Sequence, residues 1–242
     1  MRRVVPPPRA ADRAGVDLVL ISHLHSDHLH LPSLRRLGRD TRIVVPRGAG
    51  RWLHRRGFAA VEEIAPGQSL TDGGLTVTAT EAVHSGHRWG PRLTHGPQSP
   101  AVGHLVSGDG HSVYFAGDTD LFPGMGDLAP VDVAVLPVWG WGPSIGPGHL
   151  DPHRAAEAVG LLRARLAVPV HWGTLAVAGL STLPNPWRAR MRDLLLQPPR
   201  TFAAAVAAGG SGAAVALTAP GQPVLMPAAV PDTDPPDRVG TT

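Results

Sequence analysis

The amino-acid sequence predicts an α/β fold in which a parallel sheet is followed by antiparallel strands. Within the first 65 residues, short apolar runs alternate with helical segments, and this βαβαβ rhythm favours a parallel sheet. After Pro66 the pattern changes, because a turn at Asp72-Gly73-Gly74 joins two short runs that are typical of a hairpin. At 242 residues, 43% of them hydrophobic, the chain is long enough to form one large domain with a substantial core.

The elements of the first part are predicted from apolar runs and from the residues that end them. They are a strand at about 16–22, a helix at about 32–38, a strand at 42–45, a helix at 48–56 and a strand at 60–64. Pro46 is expected to stop the second strand, and Gly57 is typical of a helix C-cap.

The second part contains the hairpin, further strands and two predicted helices. Strands are expected at 68–70, 75–80, 101–106, 112–116, 131–137, 168–170 and 213–218, and helices from 152 to about 166 and from 201 to 208. Asp151 and Pro152 are suited to the N-cap and the first position of the longer helix. The loops at 85–99 and 138–148, rich in Gly, Pro and Trp, are expected to form walls of a site.

Three segments are predicted along the chain. Residues 1–15 are rich in Pro and Arg and are expected to form an extended lead-in, whereas residues 16–225 hold all the regular elements of the single domain. Residues 226–242 are polar and rich in Pro, so a disordered tail is predicted there.

The stretch from His23 to His28, His-Leu-His-Ser-Asp-His, directly follows the apolar run Leu18–Ile21. It therefore places three histidines and one aspartate in a loop at the end of a buried strand. Neutral imidazole nitrogens and carboxylate oxygens are suitable ligands for Zn²⁺ and similar divalent ions. The alternation lets His23 and His25 bind one ion while Asp27 and His28 turn towards a second.

Further polar residues follow later strands in the same way, at His84, Asp118 and His171. Gly117 lets the backbone turn sharply before Asp118, so that the carboxylate can lie between two ions. Two cations bridged by a carboxylate, roughly 3.5–4 Å apart, form a recurrent hydrolytic centre.

Composition excludes several classes. The chain has no cysteine, so disulfides and Cys-ligated zinc are excluded, and it has no apolar stretch of transmembrane length. Its basic start lacks the apolar core of a signal peptide, and a cytoplasmic location is the expectation. The net charge of +3 is too small to favour nucleic acid. A metal-loaded site favours a small-molecule or lipid-like anionic substrate, while the oligomeric state stays open.

The motif His-x-His-x-Asp-His, then His84, Gly-Asp-Thr around Asp118, and His171, resembles the metallo-β-lactamase-fold superfamily over about residues 16–220. The resemblance implies a four-layer αββα sandwich. It implies that His23, His25 and His84 hold the first metal ion, that Asp27, His28 and His171 hold the second, and that Asp118 binds both. Zn²⁺ is the default ion, and Mn²⁺ or Fe²⁺ fit similar ligands.

Three further segments indicate which branch of the superfamily the sequence resembles. The strand at 132–137, the helix start His149-Leu150-Asp151-Pro152 and the stretch at 169–174 resemble the branch with N-acyl-phosphatidylethanolamine phospholipase D and ascorbate-6-phosphate lactonase. Members of that branch usually carry several strands and a Gly-His-Ala-Thr-like segment before the His motif. Only about fifteen residues precede the first strand here, so the resemblance implies that the first sheet lacks its first strands. A start codon that is called too late, a truncated chain and a partner that covers the gap are the alternative explanations.

The predicted chemistry is hydrolysis. A metal-bound hydroxide, formed because two ions lower the pKa of a shared water to about 7, attacks a phosphodiester phosphorus or a lactone or ester carbonyl. Asp27 is predicted to orient this nucleophile. His149 is predicted to contact the substrate or leaving group, with a structural loop histidine as the alternative. Supporting or structural roles are expected for three further histidines, His87, His95 and His104.

Other members of the superfamily require sequence features that can be checked in this chain. Lactamases with a Cys ligand are excluded, and flavo-diiron proteins carry Glu where His25 stands. A tRNA-processing nuclease normally adds a basic arm that is not found here. The alternatives that stay open are another nuclease of the superfamily and an inactive or truncated remnant that still binds metal.

Overall fold

The computed structural model describes residues 2–88, 96–140, 144–179, 186–219 and 221–229. Within these ranges the strands form one sheet of seven strands, one of three and one of two. None of the helices in the described ranges combines the length and the apolar character that crossing a bilayer requires.

The three-stranded sheet is parallel and contains the first half of the predicted pattern. Its strands are, in spatial order, β2 (Leu18–Leu20), β3 (Arg42–Pro46) and β4 (Val61–Ile64), connected by helices α1 (Leu31–Leu37) and α2 (Gly50–His54). The predicted βαβαβ unit is therefore confirmed. Apolar side chains of both helices and of the loop after β2 pack on one face of this sheet; Leu24, Leu29, Leu53 and Phe58 are almost fully buried there.

The seven-stranded sheet is mixed. Its strands are β5 (Ser69–Asp72), β6 (Leu75–Glu81), β7 (Val102–Gly108), β8 (His111–Phe115), β9 (Val133–Pro137), β10 (Leu166–Val170) and β12 (Ala214–Val215), in the spatial order β12-β10-β9-β8-β7-β6-β5. The strands from β5 to β8 are antiparallel, and the β5–β6 pair is the predicted hairpin. Strands β8, β9, β10 and β12 are parallel.

The two large sheets pack face to face. Val44 and Ile64 of the smaller sheet contact Ala79 and Val102 of the larger one in a shared apolar cluster. On the opposite face of the larger sheet, helices α3 (Pro152–Leu161) and α5 (Pro198–Ala208) pack against each other and close the main core around Tyr114, Leu136 and Phe202. The order of layers is helix, sheet, sheet, helix, which is the predicted αββα sandwich.

Helix α3 begins where the sequence predicts. The carboxylate of Asp151 accepts hydrogen bonds from the backbone N–H groups of His153 and Arg154, both at 2.9 Å. The helix ends at Leu161 rather than near Leu166, because Arg163 has a φ of 45° that a helix cannot contain. Leu166 instead opens β10, which is longer than the predicted strand at 168–170.

Some elements were not predicted. Helix α4 (Trp187–Leu196) buries only Met191 of its own residues, so it has little apolar periodicity. Within the predicted lead-in, Arg2–Arg3 forms strand β1, which pairs with β11 (Leu175–Ala176). Of the predicted tail, residues 226–229 form no helix or strand, and residues 230–242 lie outside the described residues.

The first strand of the parallel sheet, β2, lies at its edge. Among the described residues its backbone pairs with β3 alone. Beside this edge is a cavity of about 460 Å³, bordered by Leu20 and, on the larger sheet, by Phe115 and Val170. Phe115 is 45% exposed, so an apolar part of the larger sheet is open next to β2.

Candidate metal centre

The loop from His23 to His28 is fixed at both ends by buried leucines. Leu24 and Leu29 are fully buried in the core beneath α1 and α2. Between them the chain makes a tight turn, in which the carbonyl of His25 accepts hydrogen bonds from the N–H groups of His28 (3.1 Å) and Leu29 (2.8 Å). The polar side chains of the loop therefore turn to the side opposite the core.

The other predicted ligands lie beyond the ends of three strands of the larger sheet. His84 follows β6, Asp118 follows β8 and His171 follows β10. The loop after β8 approaches the loop after β2 closely, because a Cβ atom on Gly117 would lie 2.5 Å from Cβ of Ser22. Gly117 also has a φ of 63°, so glycine is required there for two reasons.

The structure brings all seven predicted ligands together in two adjoining groups. In each group, one ligand atom per residue lies within 4.8 Å of all the others; the groups are His23, His25, His84 and Asp118, and Asp27, His28 and His171. His25 Nδ1 lies 3.1 Å from His84 Nε2. Tetrahedral nitrogen ligands at the usual zinc distance are separated by about 3.4 Å, so this spacing suits a shared ion.

Asp118 lies between the two groups. Its Oδ2 atom is 3.2 Å from Nε2 of His28 and 3.4 Å from Nε2 of His171. The same oxygen is 3.8 Å from Nε2 of His23 and 3.9 Å from Nε2 of His84. One carboxylate thus faces histidines of both groups.

Hydrogen bonds to the outer ring nitrogens orient three of the histidines. Nδ1 of His84 lies 2.7 Å from the carbonyl of Gly148, and Nδ1 of His171 lies 2.6 Å from the carbonyl of Trp139. Since a carbonyl only accepts, both Nδ1 atoms carry a proton and both Nε2 atoms face inward. The Oγ atom of Ser22, which can donate or accept, forms a hydrogen bond with Nδ1 of His23 at 3.1 Å.

The donor set fits metal ions. Four inward-facing atoms are buried and have no hydrogen-bond partner among the described residues, namely Nε2 of His23, His25 and His28 and Oδ1 of Asp118. Buried polar atoms without partners cost free energy, and a bound cation would satisfy them. Imidazole with carboxylate is the ligand chemistry of zinc and related divalent ions.

The histidines of the site differ in the direction in which their pKa values are shifted. Burial lowers the pKa of His84 to about 4 and that of His23 well below its ordinary value, so both are neutral at pH 7. Burial acts in the same direction on His171, but the carboxylates of Asp118 and Asp27 outweigh it and raise its pKa to about 9. Burial disfavours the charge of Asp118, yet His171 and His28 hold its pKa well below the usual range.

A small cavity of about 230 Å³ opens beside the second group. Asp27, His28 and His171 line it together with Arg3, Trp172 and Thr174. The cavity gives a ligand access to the candidate metal-binding side chains, and its border includes the guanidinium of Arg3 and the hydroxyl of Thr174.

The remaining predicted histidines have different positions. His149 lies at the site, since its Nε2 is 3.8 Å from Asp118 Oδ2 and its ring centre is 4.6 Å from that of His84. His104 is 2% exposed and borders the 460 Å³ cavity behind His28 and Asp118. His87 belongs to neither ligand group among the described residues, and His95 lies outside the described residues.

Sequence reasoning missed the residues that support the ligands. Ser22 contacts Nδ1 of both His23 and His28, at 3.1 and 3.4 Å. Arg88 donates to backbone carbonyls of the loop that holds His25 and His28. For Ser22 the signal is its position next to the motif, whereas nothing local in the sequence identifies Arg88.

Comparison with known proteins assigns the family. The beta-lactamase superfamily domain model matches residues 1–172. A UPF0173 metal-dependent hydrolase of Solibacter usitatus is 33% identical over 191 residues, which cover 77% of this chain and 79% of that protein. The chain therefore belongs to the beta-lactamase superfamily. Together with the site, this membership defines it as a metal-dependent hydrolase with candidate metal-binding residues.

A second relative is longer than this chain. N-acyl-phosphatidylethanolamine-hydrolyzing phospholipase D 1 of Caenorhabditis elegans is 30% identical over 214 residues, or 80% of this chain. The match spans 59% of the length of that phospholipase. Among solved structures, Igni18, a metallo hydrolase from Ignicoccus hospitalis, covers 91% of this chain and is covered to 84%, with a TM-score of 0.67 and 24% identity. This last similarity shows the fold.

Proposed function

We propose that the protein is a binuclear metal-dependent hydrolase that cleaves a phosphodiester, in the manner of a phospholipase D, or a lactone or ester bond. The observation that carries the proposal is the position of Asp118 Oδ2, within 3.9 Å of histidines from both ligand groups. A carboxylate in that position suits a ligand shared by two ions.

The ligand assignment follows the two groups. His23, His25 and His84 would hold one ion, Asp27, His28 and His171 the other, and Asp118 both. Zn²⁺ suits these nitrogen and oxygen donors, and Mn²⁺ or Fe²⁺ can occupy similar sets. When bound, such a pair of ions lowers the pKa of a shared water and neutralises charge that develops on the substrate oxygen.

In this proposal Asp27 orients the attacking water and passes its proton on. Its carboxylate lines the small cavity and lies 3.6 Å from Nε2 of His171. Burial opposes its ionisation, but the hydrogen bond and charge of His171 together with His28 hold its pKa below the usual value. An ionised carboxylate at this border can accept a hydrogen bond from water and so orient the oxygen towards the substrate.

His149 lies beside Asp118 and His84, and in this proposal it donates to the leaving group. Its Nδ1 is 3.1 Å from the carbonyl of Gly146, which leaves Nε2 directed to the site. The side chain is 22% exposed, so it can reach a bound substrate as well as solvent. A donor in this place would stabilise charge on the departing oxygen.

The substrate class is supported by the border of the small cavity. Arg3 and Thr174 lie beside Asp27 and His171, and a guanidinium with a hydroxyl suits an anionic group next to the reacting bond. The phosphodiester branch of the proposal is also supported by the Caenorhabditis elegans relative, a phospholipase D that hydrolyses N-acyl-phosphatidylethanolamine. A small-molecule or lipid-like anion fits both observations.

Turnover of model substrates tests the proposal. Protein loaded with Zn²⁺ or Mn²⁺ is assayed with bis-p-nitrophenyl phosphate, with acyl lactones and with an N-acyl-phosphatidylethanolamine, alongside Asp118→Asn. Chelator-sensitive hydrolysis that Asp118→Asn lacks is the expected result. Metal binding without turnover of any substrate would instead identify an inactive remnant, and cleavage confined to RNA or DNA would identify a nuclease.

A further inference from the structure

Arg88 is a buried cation that touches the metal-binding loop without belonging to the ligand set. It lies four residues after His84 and is 7% exposed. Its Nη1 atom donates hydrogen bonds to the carbonyl oxygens of Leu24, at 2.6 Å, and Leu29, at 2.8 Å. These two bonds connect parts of the chain that are 64 and 59 residues apart.

The two acceptors are the ends of the loop that carries His25, Asp27 and His28. Both leucine side chains are already fixed in the core, so their carbonyls define where the loop leaves it and returns to it. One nitrogen that binds both carbonyls sets the distance between these two ends. A change in that distance would move the side chains of both ligand groups.

Arg88 itself is held firmly. Its backbone N–H donates to the carbonyl of Pro97, and the N–H of Ser99 donates to the carbonyl of Gly86, so residues 86–88 and 97–99 form a short ladder. The guanidinium also lies 5.3 Å from the ring centre of Trp52 on α2. A cation fixed from several sides can position a loop, whereas a mobile one cannot.

Burial of this guanidinium carries a cost. Burial lowers the pKa of Arg88; among its charged neighbours Arg56 adds to that effect and Asp27 opposes it. An arginine with so little exposure needs strong acceptors in fixed geometry to offset its desolvation, and the two loop carbonyls are such acceptors. The hydrogen bonds that offset the desolvation of Arg88 are therefore the same ones that fix the loop.

We propose that Arg88 is a positioning residue for the metal centre: its guanidinium bridges the carbonyls of Leu24 and Leu29 and so fixes the loop that presents His25, Asp27 and His28. The proposal rests on the proposed function, because it assumes that these side chains bind metal. Residues that orient metal ligands typically contribute about 10- to 100-fold to metal affinity, and this range is expected for Arg88.

The test compares Arg88 with Arg39, a control that forms the same kind of hydrogen bonds at an exposed position. Nη1 of Arg39 also donates to two backbone carbonyls, those of Arg56 and Gly57, at 2.8 and 3.2 Å, but in a turn that holds no ligand. Zinc affinity is measured by competition with a chromophoric chelator for wild type, Arg88→Met, Arg39→Met and Arg88→Lys. The expected result is a fall of about 10- to 100-fold for Arg88→Met, wild-type affinity for Arg39→Met, and partial recovery for Arg88→Lys.

A second measurement uses the metal-free protein. Amide hydrogen exchange of residues 24–29 is expected to be faster in Arg88→Met, and in Arg88→Lys to a smaller extent, than in wild type. Should Arg88→Met fail to fold, Arg88→Lys supplies both readouts. Wild-type zinc affinity and exchange in the Arg88 variants, or an equal loss in Arg39→Met, would overturn the proposal.

The outcomes separate this inference from the proposed function. Neither measurement requires turnover, so a wild-type protein that binds zinc but hydrolyses nothing would contradict the proposed function and leave the role of Arg88 intact. Normal hydrolysis by wild type, with unchanged zinc affinity in the Arg88 variants, would support the proposed function and contradict the role of Arg88.

Discussion

The carboxylate of Asp118 lies 3.4 Å from Nε2 of His171, and the two residues follow different parallel strands of the larger sheet. His171 has a φ of 61°, a left-handed conformation that is uncommon for residues other than glycine. The sheet therefore holds the histidine in a costly conformation next to a carboxylate that also faces the first ligand group. Such local strain is frequent at functional sites.

Replacement of Asp118 should empty both metal positions. Asp118→Ala removes the one side chain that faces both groups, so bound metal should fall to well below one ion per chain. His87→Ala is the control, because His87 belongs to neither group among the described residues and its loss should leave the metal content near that of wild type. The measurement is elemental analysis after desalting. Equal losses for the two variants would show that the ligand set is wrong.

Metal uptake should release a proton from His171. The pKa of this imidazole in the metal-free protein is raised to about 9, so it is protonated at pH 7, whereas a ligand must be neutral. Affinity at the second position should therefore rise by about tenfold per pH unit between pH 7 and 9 and then level off.

Calorimetry in two buffers with different enthalpies of ionisation measures this release. The variant His171→Gln removes the titrating group, so its weaker binding should lose this part of the pH dependence. An affinity that is constant from pH 7 to 9 in the wild-type protein would contradict the pairing of His171 with Asp118 and Asp27.

His149 should contribute to turnover without contributing to metal binding. If its Nε2 donates to the leaving oxygen, His149→Ala should lower kcat by roughly 10²–10³. Metal content should not change, because His149 is outside both ligand groups. Both quantities are measured on the same preparation. Full activity would leave His149 a structural loop residue, and lost metal would make it an additional ligand.

His104 should make the metal-free protein less stable in acid. Burial lowers the pKa of His104 to about 4, so between pH 6.5 and 4 the unfolded chain binds a proton that the folded one does not. The contribution of His104 to the free energy of unfolding is fully present above pH 6.5 and decreases as the pH drops. At pH 4 the free energy of unfolding is lower by about 3 kcal/mol. His104→Leu should reduce the slope of unfolding free energy against pH. An identical slope in urea titrations of the two proteins would refute this.

The first half of the fold could be predicted because its signals are local. Apolar runs, Pro46 and Gly57 mark the βαβαβ unit, and the spacing of the His motif after β2 predicts candidate metal ligands without any knowledge of their distances. The structure gathers these residues into two adjoining groups, and His149 lies beside them.

The rest depends on contacts between distant parts of the chain. The pairing of Arg3 with Leu175 brings the start of the chain to the border of the site, yet a strand of two residues has no recognisable pattern. The role of Arg88 arises from acceptors that are about sixty residues away in sequence. Helix α4 was missed because arginines interrupt its apolar residues and only Met191 is buried.

The number of metal ions per chain tests the binuclear centre most directly. Protein purified without chelator, folded by circular dichroism and exhaustively desalted, is analysed for zinc, manganese and iron against its concentration by amino-acid analysis. Two ligand groups joined by Asp118 predict close to two ions per chain, and close to none in Asp118→Ala. A folded wild-type protein that retains no metal, and takes up none when zinc is added, would contradict the binuclear centre.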